Sequence, residues 1–492
     1  NVHPLAHRVI TSALVQRRAC KMKFSPTTLA GTLLLAAATG QAQVPGAMSY
    51  TESADTMKNV ILIIGDGMDE QQITIARNYL QGATGKLTLD KLPLRSASQV
   101  LTIEDKVGGR PVYVADSANT ATSMATGVVT SRGRIATTAG SDQDIPTIAE
   151  MAIEAGYRAG IVSTASVTDA TPAAFAAHIS YRLCENPEIV EHVEYSGIDL
   201  GGCPQDAQDN GGPGAISQQL ADSELSVLLG GGSKHFIVNA EGQDESVLNL
   251  ARDNGFQIAL TTAELLAADP GKPLLGLFSE STMPVRLQGE DGRAAEKPDP
   301  SLLNHVHEYL GDVSLPAVMV CEPNPEFAAM PTLKQMTDVA LQHLSANNSK
   351  GFFLMVESAS IDKQSHERKP CGSIGELEQL DEALDSALAF ARKHQNTLIL
   401  VTADHSQAAQ LIPYESLYAK YPIPIYTPGY LARIKTPEGS VMSVNYATTT
   451  FMMAEHTGAA VPLFANTQGK GRVPSYVLQT DVFSIMKDYL AL

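Results

Sequence analysis

Three acids stand at or just past the ends of short apolar runs: Asp66 after Val60 to Ile64, Glu357 after Phe352 to Val356, and Asp404 after Thr397 to Thr402, with His405 beside it. Ligands of open parallel sheets bind beyond the carboxyl ends of the strands, so acids at these places would converge on one edge and could hold a cation. One acid in such a place is usually a helix cap or turn residue, but three on one edge are harder to dismiss. Asp362 and His366 lie four residues apart, which puts both on one face of a helical turn and lets them grip one ion. An exposed helix pair has the same spacing. His456, within Glu455-His456-Thr457-Gly458, would complete a set of two histidines and a carboxylate suited to zinc, although a lone histidine is more often structural.

Asp116-Ser117-Ala118 opens an alanine- and threonine-rich stretch, Asn119 to Thr126, that reads as the first turns of a helix. Ser117 then sits where free amides and the helix dipole favour negative charge, and a cation there would make its hydroxyl a usable nucleophile. The dipeptide alone is equally a plain helix cap. Asp169-Ala170-Thr171-Pro172 reads as a second helix start with proline at the first helical position, and Arg182 follows about three turns on. The guanidinium fork of Arg182 matches two phosphate oxygens, although most arginines simply face solvent.

The elements that must position these groups follow from apolar periodicity. Val60 to Ile64, Ala159 to Ser163, Val227 to Leu229, Phe352 to Val356 and Thr397 to Thr402 are short apolar runs of the kind found in buried parallel strands. Between them, Ile148, Met151, Ala152 and Ala155 recur at helical spacing, with Pro146 to start the helix and Gly156 to stop it; Leu377, Leu380, Leu384, Leu388 and Ala391 trace a second stripe. Strands alternating with helices predict an α/β fold, a large mostly parallel sheet covered on both faces. The polar stretch Gln288 to Pro300 reads as a surface excursion. A single domain over residues 43–492 with inserted loops is favoured over two.

The chain of 492 residues carries a net charge of −18, which argues against a nucleic-acid-binding surface. Two readings of the acidity stand: a salty, halophilic habitat, or ordinary colloidal solubility. Residues 1 to 42 read as a presequence. Lys21 and Lys23 precede an apolar run from Leu29 to Ala38, and Gly40-Gln41-Ala42 offers a cleavage site. That run is too short to span a membrane. Export to the periplasm or medium would agree with the four cysteines that remain, Cys184, Cys203, Cys321 and Cys371, as two disulfides. A cysteine-based metal site lacks CxxC spacing.

In this order, Ile64-Gly65-Asp66-Gly67-Met68, Asp116-Ser117-Ala118, Thr168 to Arg182, Val356 to His366, Thr402-Ala403-Asp404-His405 and Glu455-His456-Thr457-Gly458 closely resemble the bacterial alkaline phosphatases, from about Asn59 to the C-terminus. The resemblance implies two zinc ions and one magnesium ion per subunit. Asp362, His366 and His456 would bind one zinc, and Asp66, Asp404, His405 and Ser117 the other. Asp66, Thr171 and Glu357 would bind magnesium, with Asp169 and Lys363 acting through water. It further implies a homodimer and the pairings Cys184 with Cys203 and Cys321 with Cys371. Gln407 departs from the pattern, since bacterial relatives often carry histidine there.

The chemistry so implied is hydrolysis of small phosphate monoesters of broad range. Ser117 would attack phosphorus, Arg182 would clamp two phosphoryl oxygens, and a phosphoserine would form and break down. A phosphodiesterase or sulfatase of related fold is the rival enzyme. Neither Cys184 nor Cys203 heads the Cys-x-Pro-x-Arg motif of sulfatases, and such diesterases usually place threonine where Ser117 stands. A binder of phosphate or metal without turnover is the rival outside enzymes.

Overall fold

The computed structural model describes residues 57–195, 197–421 and 424–492, so the expected presequence lies outside the described residues. Its apolar runs become strands because each can bury both faces. They are β1 (Lys58–Gly65), β2 (Leu94–Gln99), β3 (Arg158–Ser166), β4 (Val227–Gly231), β5 (Gln257–Ala259), β6 (Leu274–Leu277), β7 (Gly351–Ser358), β8 (Thr397–Ala403), β9 (Val461–Ala465) and β10 (Tyr476–Leu478). These ten form one sheet in the order β10-β2-β9-β8-β1-β7-β3-β4-β6-β5. Neighbours run parallel except at β9, which opposes β8 and β2. All five expected runs are strands of this sheet, and the mostly parallel α/β class is as expected.

Register explains why the acids meet. Ile64 of β1 lies level with Glu357 of β7 and Thr402 of β8, so Asp66, Glu357 and Asp404 emerge at one height on one edge. Glu357 falls inside β7 rather than after it. The chain turns at Gly67, whose φ of 67° is left-handed; a Cβ there would stand 2.9 Å from Gln407 Cγ and 3.1 Å from Asp362 Cβ. Only glycine lets these segments approach so closely.

Eight helices position the remaining groups: α1 (Glu70–Gln81), α2 (Ser117–Thr126), α3 (Ile148–Glu154), α4 (Ala170–Ala173), α5 (Leu333–Ser345), α6 (Ser360–His366), α7 (Pro370–Lys393) and α8 (Gln479–Leu490). Alternate residues of β1 feed two cores. Val60, Leu62 and Ile64 pack with α2, α3 and α8, whereas Ile61 and Ile63 pack with α1, α5 and α7. Such double coverage is what a parallel sheet needs. The leucine stripe at 377, 380 and 384 is the buried face of α7, and Pro370 occupies its first turn, where a missing N–H costs nothing.

Some local expectations need correction. Pro146 lies ahead of α3, whose cap is Thr147 in a reciprocal pair with Glu150. Pro172 is the third residue of α4, not the first, and α4 ends at Ala173. Arg182 therefore stands on a turn, anchored by its N–H to the Gly133 carbonyl at 2.7 Å, rather than three turns along a helix. The stretch 288–300 is mostly surface, but Leu287–Gly289 pairs with Cys321–Pro323 and Asp299–Pro300 with Val313–Ser314. A smaller four-stranded sheet contains Val318–Met319, Tyr430–Lys435, Val441–Tyr446 and Ala409–Ile412. Among the described residues no helix is long and apolar enough to cross a membrane.

Disulfides join Cys184 to Cys203 and Cys321 to Cys371. The second, at a sequence separation of 50, ties the start of α7 to the strand Cys321–Pro323. Loop-closure entropy for that length is worth about 4 kcal/mol, less any strain. The paired substitution Cys321→Ser with Cys371→Ser is expected to lose roughly 2–4 kcal/mol in urea unfolding; an unchanged midpoint would contradict it.

Candidate functional site

Ser117 is the first residue of α2 because Asp116 caps the helix. The Asp116 carboxylate accepts the Asn119 N–H at 3.2 Å, and Asn119 Oδ1 accepts the Asp116 N–H at 3.0 Å. All ten residues of α2 are buried, so the hydroxyl is held rigidly. Its Oγ stands 3.2 Å from His405 Nε2 and 3.4 Å from Asp66 Oδ2.

Two donor clusters lie here, and Ser117 touches the first of them. In one, Asp66, Asp404 and His405 converge: His405 Nε2 is 3.4 Å from Asp66 Oδ1 and 3.2 Å from Asp404 Oδ2. In the other, the Nε2 atoms of His366 and His456 lie 3.2 and 3.3 Å from the two oxygens of Asp362 and 2.9 Å from each other. The outward nitrogens are already committed. His366 Nδ1 meets the Ala454 carbonyl, and His456 Nδ1 meets the Ala115 carbonyl at 2.9 Å. Donating there leaves each Nε2 lone pair aimed inward, the orientation a metal needs. The His405 and His456 rings stack with centroids 3.6 Å apart, so the clusters adjoin.

The electrostatics point the same way. Burial raises the Asp66 carboxyl well above its ordinary value, and the charges of Asp404, Asp362 and Glu357 raise it further. Burial pushes Glu357 up to about 8; the Ser163 hydroxyl opposes this and the Asp169 charge adds to it. Burial drives His405 down to about 4. Burial also opposes charge on His456, but the Asp362 carboxylate outweighs it and raises the imidazole to about 9. Asp66 Oδ1 and Thr171 Oγ1 are buried without a hydrogen-bond partner. Buried carboxylates that repel one another and orphaned oxygens describe a place built for positive charge.

Fixed cations line the other side. Arg182 donates to Asp169 Oδ1 at 2.9 Å and to Asp116 Oδ2 at 3.3 Å, while Lys363 is hydrogen-bonded to Asp169 Oδ2. These pairs hold the Asp169 carboxyl well below the usual range despite burial. Asp66, Ser117, Arg182, Asp362, Lys363 and His456 line a cleft of about 280 Å³. A larger cavity of about 650 Å³ lies beside Phe175 and His178, but His178 is already hydrogen-bonded to Glu150 there.

Of the site candidates from sequence, Asp66, Ser117, Arg182, Asp362, Lys363, His366 and His456 line this cleft. Asp404 and His405 join Asp66, Asp169 pairs with Arg182 and Lys363, and Glu357 stands level with the end of β1. Thr171 is the second residue of α4, whose cap is Asp169. Sequence reasoning missed some participants: Ser163 donates to Glu357, Asp116 pairs with Arg182, and Met453 lines the cleft. Asp116 was legible as a cap, and Gln407, marked in the sequence only as a departure from the family pattern, donates through Nε2 to Asp362 Oδ1.

Comparison with known proteins bears on the same residues. The alkaline phosphatase family model matches residues 57–450. Alkaline phosphatase of Escherichia coli is 40% identical over 443 residues, covering 88% of this chain and 86% of that one. Streptomycin-6-phosphate phosphatase of Streptomyces griseus is 37% identical over 465 residues, covering 91% and 94%. Among solved structures, alkaline phosphatase from the Antarctic bacterium TAB5 superposes with a TM-score of 0.62 at 21% identity, covering 88% of this chain and 99% of that one. Alkaline phosphatase of Thermus thermophilus gives 0.61 at 19% identity, covering 92% and 96%. The family match and the two relatives, set beside this cleft, establish that the chain belongs to the alkaline phosphatase family and is a hydrolase of phosphate monoesters.

Proposed function

We propose that the chain hydrolyses a broad range of phosphate monoesters through a phosphoserine on Ser117, with two zinc ions and one magnesium ion per subunit. The observation that carries this reading is the Ser117 hydroxyl standing within 3.4 Å of both His405 Nε2 and Asp66 Oδ2 of one donor cluster, with the second cluster adjoining it through His456. Asp362, His366 and His456 would hold one zinc. Asp66, Asp404, His405 and Ser117 would hold the second. Asp66, Thr171 and Glu357 offer oxygens alone, a set suited to magnesium, and the orphaned Thr171 Oγ1 and Asp66 Oδ1 support that fit. A mutant of the TAB5 alkaline phosphatase, which shares this fold, has Mg bound in its M3 site. Such cations supply charge that offsets the negative oxygens of the entering and departing groups and make the serine hydroxyl easier to deprotonate.

The chain's own part is positioning. The first turn of α2 presents Ser117 with free amides and a favourable dipole, so negative charge on Oγ and on the phosphoryl group is met where it develops. Arg182, steered by Asp116 and Asp169, would place its fork on two phosphoryl oxygens, and Lys363 would add charge nearby. Oγ attack on phosphorus expels the alcohol and leaves phosphoserine; attack by water then releases inorganic phosphate and restores the hydroxyl. Donors here address phosphate and not the alcohol, which supports a broad range. The two disulfides support a periplasmic or secreted setting. Exposed Leu302, Val306 and Leu417 support a covered surface such as a homodimer would provide.

Ser117→Ala should retain zinc and lose acid-stable labelled phosphate on the protein, with monoester turnover falling by on the order of 10²-fold or more. Label trapped at another residue of the variant would contradict the assignment. The metal-free protein should also lose stability as pH rises. Glu357, raised from 4.5 to about 8, and His456, raised from 6.5 to about 9, each bind protons in the folded state that the unfolded chain has released. His405, lowered to about 4, acts only below 6.5. Melting temperature in chelator should therefore fall between about pH 6.5 and pH 9, and added zinc and magnesium should abolish most of the fall. A flat or rising profile in chelator would contradict it.

A further inference from the structure

Arg368 lies two residues beyond His366, on the turn joining α6 to α7, and holds a left-handed φ of 58°. Glycine would take that conformation without steric cost, so an arginine there points to work done by its side chain. The residue is 4% exposed. It donates to three carbonyls of one segment: Met452 at 2.8 Å, Phe451 at 2.7 Å and Thr449 at 3.3 Å. Its flat face lies 4.0 Å from the Tyr430 ring centroid.

That segment leads directly to the cleft. Ala454 N–H donates to the His366 carbonyl at 2.9 Å, Met453 lines the cleft, and His456 enters the donor cluster. The side chains of Phe451 and Met452 are 61% and 72% exposed, so burial in a core does not fix this stretch. Polar fastening to the end of α6 does so instead.

We propose that Arg368 is a positioning residue of the hydrolytic site. By gripping the carbonyls of Thr449, Phe451 and Met452 it fixes the segment that carries His456, tying the place of His456 to that of Asp362 and His366 on α6. The same grip sets Met453 as an apolar wall beside Ser117. This inference rests on reading His456 as a zinc ligand.

The test is the rate at which the zinc-loaded full chain releases zinc to a chromophoric chelator, at a temperature where every variant is folded by circular dichroism. Arg368→Gly removes the guanidinium while suiting the backbone, and release is expected to quicken roughly 10- to 100-fold, the scale of losses when a group supporting a metal ligand is removed. Arg368→Lys keeps charge and stem but not the fork, and should fall between that variant and wild type. Arg286→Ala, which breaks pairs with Glu378 and Glu382 away from the cleft, should leave release unchanged even if it lowers the melting temperature. Wild-type release rates in folded Arg368→Gly would overturn the proposal; if that variant does not fold, wild-type rates in Arg368→Lys would do so. A wild-type chain that takes up no zinc overturns the ligand reading and this proposal with it, whereas zinc held equally by wild type and Arg368 variants overturns this proposal alone.

Discussion

Like charges crowded at one buried edge govern the rest of the molecule. Asp66, Asp362, Asp404 and Glu357 emerge where β1, β7 and β8 end, and all four are nearly inaccessible to water. Unscreened carboxylates so placed repel, and the raised Asp66 and Glu357 carboxyls record that repulsion together with lost hydration. A fold that retains such an arrangement is spending stability on a site for positive charge.

Rigid elements keep the arrangement from relaxing. Parallel pairing on both sides of β1 fixes the height of the acids, and Gly67 lets the turn after β1 press against Asp362 and Gln407. The short helix α6 sets Asp362 and His366 on one face, with the Cys321–Cys371 disulfide bracing the helix that follows. Carbonyls of Ala115 and Ala454 turn the imidazoles of His456 and His366 inward, and the buried first turn of α2 brings Ser117 against His405 and Asp66. Arg182 and Lys363 are held by carboxylates of their own, so positive charge waits beside the cleft without occupying it.

Much of this was legible in the sequence, for a physical reason. Residues such as Asp66, Asp404 and the pair Asp362 and His366 are tied to strand ends or helix periodicity, and those leave local traces in the chain. The five apolar runs became strands because a strand buried on both faces is apolar at every position. Arg182 was misplaced because α4 stops at Ala173 after a single turn, and Pro172 because α4 already starts at Ala170, capped by Asp169. The roles of Ser163, Arg368 and Met453 left no trace, and Gln407 stood out only as a departure from the family pattern. Their roles depend on contacts across dozens to hundreds of positions, such as Ser163 with Glu357 and Arg368 with Met452.

Central to the proposed function is that the two donor clusters would hold two separate metal ions, one of them against the Ser117 oxygen. Anomalous scattering at the zinc edge, from crystals of the zinc-loaded protein, measures that directly. Two peaks are expected, one among Asp362, His366 and His456 and the other among Asp66, Asp404, His405 and Ser117. No peak at either cluster, or zinc found only elsewhere on the protein, would contradict it.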